Sequence, residues 1–66
     1  RRVWRALALL PTRRRAILVM HELEGLSASE ISGLLGITAV TVRWHVAVGR
    51  RSLKRLLKGD VNERRD

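Results

Sequence analysis

A chain of 66 residues has room for one domain around one small core, and none for a second domain or a deep substrate cleft. It contains no Cys, so neither a disulfide frame nor a thiolate metal site can hold it together, and its stability must come from helix packing. Fourteen Lys or Arg against six Asp or Glu give a formal charge of +8, a field that favours a polyanionic partner.

Helical periodicity runs through the chain without any alternating strand pattern, and short turns divide it into four helices. The first is expected over Arg2 to Leu10, stopped by Pro11 because a residue before proline avoids the helical region. Thr12 can cap a second helix, which places Ala16, Ile17, Met20 and Leu23 on one face, with Leu18 and Val19 widening the apolar surface. Gly25 offers the left-handed conformation that closes it. Ser27 and Glu30 then form an S-x-x-E capping box, and Leu26 with Ile31 occupies the two positions of a hydrophobic staple, so a short third helix starts at Ala28. Gly36 ends it. Thr38 can cap a fourth helix, with Ile37 and Val42 as a second staple. Val42, Val46, Gly49, Leu53 and Leu56 form its core-facing seam, which is about 15 residues long. The fold class is therefore all-α, a compact four-helix domain over residues 1–59, and the polar residues Asp60 to Asp66 are expected to fray.

A short helix, a turn through glycine and a longer helix with a basic exposed face make a helix-turn-helix, in which the second helix lies in the DNA major groove. Ile31, Leu35, Ile37 and Val42 supply the contacts that hold the pair at a steep angle, and small Ser32 lets the helices approach. The charge is polarised to match. Arg43, Arg50, Arg51, Lys54, Arg55 and Lys58 lie between residues 43 and 58 with no acidic residue among them, whereas Glu22, Glu24 and Glu30 cluster mid-chain. Arg50, Arg51, Lys54 and Arg55 spread around the helix, as suits phosphate contacts.

The stretch from Leu10-Pro11-Thr12-Arg13 through His21-Glu22-Leu23-Glu24-Gly25-Leu26-Ser27 resembles region 4 of bacterial sigma factors, particularly the extracytoplasmic-function group. Glu30-Ile31, Leu35-Gly36-Ile37, Thr41-Val42-Arg43 and the arginine-rich run Arg50 to Leu57 continue in register, so the resemblance covers about 50 of the 66 residues. It implies binding of double-stranded promoter DNA at the minus 35 element through the fourth helix, with core RNA polymerase docked elsewhere through the flap of its beta subunit. It also implies control by an anti-sigma factor and a place in the bacterial cytoplasm, on the nucleoid when active. Mapped residue by residue, the groove-entering positions are Val40, Thr41, Arg43, Trp44, Ala47 and Val48, with Arg50 and Arg51 following. Ala28 and Ser29 fall near a phosphate at a helix N-terminus, and His21 sits where the family often has Arg or His near the DNA backbone. Three positions depart from the family. Val40 stands where Gly is common, Trp44 where a small polar residue is common, and Val48 where an Arg often reads bases. The reading face is thus unusually apolar, suited to thymine methyl groups or to a protein partner. Counting roughly 100° per residue, Trp44 lies about 200° from Val42, on the exposed side with Val40, Ala47, Val48 and Arg51.

Two other readings exist. Gly25-Leu26-Ser27, Ile31 and Thr41 to Val46 also resemble the helix-turn-helix effector domain of response or quorum-sensing regulators, although the usual Thr-x-Arg-Glu entry is missing. A protein-interaction module that binds no DNA is the alternative of another class. No enzyme is expected, because His21 and His45 fall on different helices with no orienting carboxylate, and no cofactor, metal or small-molecule substrate is implied. The apolar run Ala16 to Met20 is far too short to cross a bilayer, and no membrane role is expected. The opening Arg1-Arg2, without Met, suggests a piece of a longer chain.

Overall fold

The computed structural model describes the backbone of residues 2–65 and the side chains of residues 2–59. Four helices account for most of it: α1 (Arg2–Ala8), α2 (Thr12–Leu18), α3 (Ala28–Leu35) and α4 (Ala39–Arg65). A single π-helical turn, Val19–Leu23, extends α2. No strand occurs among the described residues. Nor is any single helix there long and apolar enough to cross a membrane.

The core follows from the apolar positions of each helix. Ile17, Leu18, Ile31 and Val42 are almost fully buried, and Leu7, Leu10 and Val46 complete the cluster. Leu53 and Leu56 pack against it from α4, so the seam Val42, Val46, Gly49, Leu53, Leu56 faces inward as its spacing requires. Helix α4 is longer than that seam. Its helical backbone continues to Arg65, and the side chains of the expected tail, Asp60 to Asp66, lie outside the described residues. At about 1.5 Å per residue α4 sets the long axis of a molecule measuring 44 × 18 × 17 Å.

The turns on either side of α3 are built as the sequence implies. Ser27 Oγ accepts the Glu30 N–H at 3.0 Å, Glu30 Oε1 accepts the Ser27 N–H at 2.8 Å, and the backbone hydrogen bond holds the Glu30 carboxyl below its ordinary pKa. Gly36 is left-handed at φ 68°, and the Ser32 carbonyl accepts both the Gly36 N–H and the Ile37 N–H. Ser32 does more than permit close approach, since its hydroxyl donates to the Ile37 carbonyl. Thr38 Oγ1 caps α4 by accepting the Thr41 N–H at 3.1 Å. Ser27→Ala should therefore lower stability by about 1 kcal/mol in urea denaturation. An unchanged midpoint would show that the box contributes nothing.

Three expectations are corrected. Helix α1 ends at Ala8, before Leu10, because the Leu9 and Leu10 N–H groups bond three residues back, to Ala6 and Leu7. Thr12 does not cap α2. Pro11 holds the cap position with φ −54° and ψ 145°, its carbonyl accepts the Arg15 N–H, and no side chain caps the end. Leu23 does not join the apolar face of the second helix and is 55% exposed. The Glu24 N–H reaches back five residues to the Val19 carbonyl, and the extra residue in that turn rotates Leu23 away from the core.

Candidate nucleic-acid interface

Helices α3 and α4 meet at 112°, a steep crossing of helix-turn-helix form. Ile31, Val42 and half-buried Ile37 hold the inner corner, and the hydrogen-bonded Gly36 turn fixes the outer one. The outer surface of α4 is thereby left open over its first three turns. Val40 is 71% exposed and Trp44 55%, and Arg43, Ala47, Arg50 and Arg51 are exposed with them. Two positions expected on this face are less free. Val48 is half-buried, since it lies nearer the seam, and half-buried Thr41 has its hydroxyl engaged with Thr38 Oγ1 at 2.9 Å.

The two helices and the π-turn enclose a cleft of about 310 Å³ lined by His21, Ala28, Arg43, Val46, Ala47 and Arg50. All of these but Val46, a seam residue, are positions expected from the sequence to face DNA. Ala28 and exposed Ser29 form the first turn of α3, whose leading N–H groups have no carbonyl of their own helix to bond. Val40, Trp44, Val48 and Arg51 line no part of this cleft.

Electrostatics divides the arginines. Arg50 donates from Nε to Glu22 Oε1, an ion pair between α4 and the π-turn. That contact holds the Glu22 carboxyl below its ordinary pKa and raises that of Arg50. His21 Nδ1 is buried, lies 3.7 Å from Glu22 Oε2, and makes no hydrogen bond. Arg14 of α2 crosses to the other flank of α4, where its guanidinium lies 5.1 Å from the centroid of the Trp44 ring and its Nε–H donates to His45 Nδ1 at 3.3 Å. Trp44 and His45 meet edge to face at 5.0 Å. Burial, with Arg14 and Arg13 nearby, pushes the His45 pKa down, so the ring is neutral at pH 7 and has the lone pair that Arg14 needs. Neither the Glu22–Arg50 pair nor the Arg14–Trp44–His45 cluster was anticipated. The signal for the second lay in the seam, since His45 is one residue from Val46 and must flank the surface that meets α2.

A second concavity, about 550 Å³ and largely apolar, lies between the start of the chain, α2 and α3, where Trp4, Ala16, Val19, Met20, Leu26 and Leu34 line it. Among the described residues no group of His, Asp or Glu side chains is placed to hold a metal ion. The sequence model of the family described as "Sigma-70, region 4" matches residues 1–53. No solved structure matches the chain.

Proposed function

Because the chain belongs to the sigma-70 region 4 family, and so binds promoter DNA and works with RNA polymerase, we propose that α4 reads the minus 35 element from the major groove. The observation that carries this reading is the 112° helix pair, which leaves Val40, Arg43, Trp44 and Ala47 exposed on one helix beside the first turn of the other. In this arrangement Arg43 and the apolar residues meet base edges. The first turn of α3, at Ala28 and Ser29, takes a phosphate, and His21 borders the same cleft. Arg51 supplies backbone attraction, as do Lys54 and Arg55 further along. Val48 and Thr41 contribute from the edge of the face.

The apolar concavity bounded by Trp4, Met20 and Leu34 shares no lining residue with the cleft beside α4 and suits the flap of the polymerase beta subunit. An anti-sigma factor would act by covering the strip at Val40 and Trp44, the two large hydrophobic side chains of α4 that are exposed among the described residues. The site of action is the cytoplasm, on the nucleoid when active.

The test is titration of the chain against a promoter duplex and a random duplex over a range of salt. Promoter affinity should exceed random affinity, and both should fall with added salt. Arg51→Ala should weaken the two alike and flatten the salt slope by roughly one unit, whereas Arg43→Ala should cost about 1 to 3 kcal/mol on the promoter alone. Arg50→Ala should change the slope less than Arg51→Ala, because Glu22 already neutralises Arg50. Equal affinity for promoter and random duplex would falsify the reading.

A further inference from the structure

A large aromatic on the outside of a recognition helix is free to swing unless something holds it, and here α2 reaches over to do so. We propose that Arg14 is a positioning residue which holds the Trp44 indole on the reading face, where it packs against the C5-methyl group of a thymine in the major groove. The inference rests on the reading of α4 as the promoter-reading helix.

Three contacts, each between different pairs of side chains, define the arrangement. The Arg14 guanidinium lies over the Trp44 ring at 5.1 Å, its Nε–H is fixed by His45 Nδ1 at 3.3 Å, and His45 meets the indole edge to face at 5.0 Å. Each member thus restrains the other two, across 31 residues of sequence between Arg14 and His45. The neutral state of His45 is part of the device, because a protonated ring would offer Arg14 no acceptor and would repel it. Trp44 nevertheless remains 55% exposed, so Arg14 covers it without burying it. Val40, one turn earlier and 71% exposed, extends the same strip. A base pair offers an apolar group to the major groove only at thymine, so an ordered apolar strip on this face selects thymine. Ordering the indole before the DNA arrives removes the entropy loss that a free side chain would suffer on binding, worth roughly two- to tenfold in affinity.

The experiment uses the 66-residue chain, its Arg14→Lys and Arg14→Gln variants, and promoter duplexes that carry uracil in place of thymine at single positions of the minus 35 element. Lys keeps the charge and the methylenes but loses the planar group, so it separates positioning from phosphate attraction. The wild-type chain should prefer thymine to uracil about fourfold at one position or more, the worth of one buried methyl group. Both variants should bring that ratio to about one, while Arg14→Lys leaves random-duplex affinity within about twofold. In DNA-free samples the heteronuclear NOE of the Trp44 indole N–H should fall in both variants. A Lys variant that keeps the thymine preference, or an indole whose order does not change, overturns the inference. A wild-type ratio of one on a duplex still bound in preference to random DNA overturns it too and leaves the promoter reading standing. Loss of any promoter preference in the wild type overturns both.

Discussion

Ile31→Ala should cost about 2 to 5 kcal/mol and leave the domain largely unfolded at 37 °C. Ile31 is fully buried, lies on the inner face of α3, and belongs with Val42 and Ile17 to the small set of side chains that water never reaches. Removing three carbons there leaves a cavity in a core cluster that has seven buried members among the described residues. A domain of this length holds about 3 to 10 kcal/mol in total, so the loss takes about a fifth of it at least and can take all of it. The 112° crossing of α3 and α4 also depends on this contact, because the Gly36 turn alone cannot hold two helices apart. Urea denaturation should show a lower midpoint with an unchanged slope. Binding to promoter and random duplex should then fall together, in proportion to the folded fraction, and should recover on cooling. If the midpoint stays put while promoter binding alone is lost, Ile31 acts on DNA and the account of the core is wrong.

What could be read from the sequence was mostly what short-range stereochemistry dictates. Ser27 with Glu30, Gly36 and Thr38 each have one backbone conformation or hydrogen bond that they serve far better than other residues, and each serves it here. The seam of α4 was legible for a similar reason, since five small or apolar residues recurring every three or four positions leave little choice of inward face. The exposure of Trp44 followed from the same count. The π-turn left no comparable mark. One extra residue in a turn changes no composition, yet it rotates Leu23 out of the core.

The candidate interface was less legible, because its decisive contacts join residues far apart in sequence. Arg14 with His45, and Glu22 with Arg50, depend on how deeply α4 settles against α2 and the π-turn. A basic run counted along the chain treats Arg50 and Arg51 as equivalent. In the fold both are exposed, but Arg50 is held by the Glu22 carboxylate.

That depth of settling is set at Gly49, and the sign of a single substitution there tests it. A glycine in the middle of a helix ordinarily weakens it, so Gly→Ala should add about 1 kcal/mol wherever there is room. Gly33 in α3 has nothing within 4 Å of the space a Cβ would take, and Gly33→Ala should raise stability by about that amount. Gly49 is buried in the seam, and a Cβ built on it would lie 2.5 Å from Leu18 Cδ1, 2.9 Å from Leu18 Cγ and 3.3 Å from Arg14 Cγ. Leu18 is only 1% exposed and packed on every side, so it has nowhere to retreat and α4 must lift from α2 instead. Overpacking of this kind costs about 1 to 3 kcal/mol, which cancels the gain in helix propensity and leaves a net loss of up to about 2 kcal/mol. The bulkier Gly49→Val should lose more. Lifting α4 also draws His45 and Trp44 away from Arg14, so the ring contact should weaken in the same variant. Paired thermal melts of Gly33→Ala and Gly49→Ala, the first midpoint rising and the second falling, are the expected result. Two shifts in the same direction would mean that the close approach of α4 to Leu18 does not set the fold.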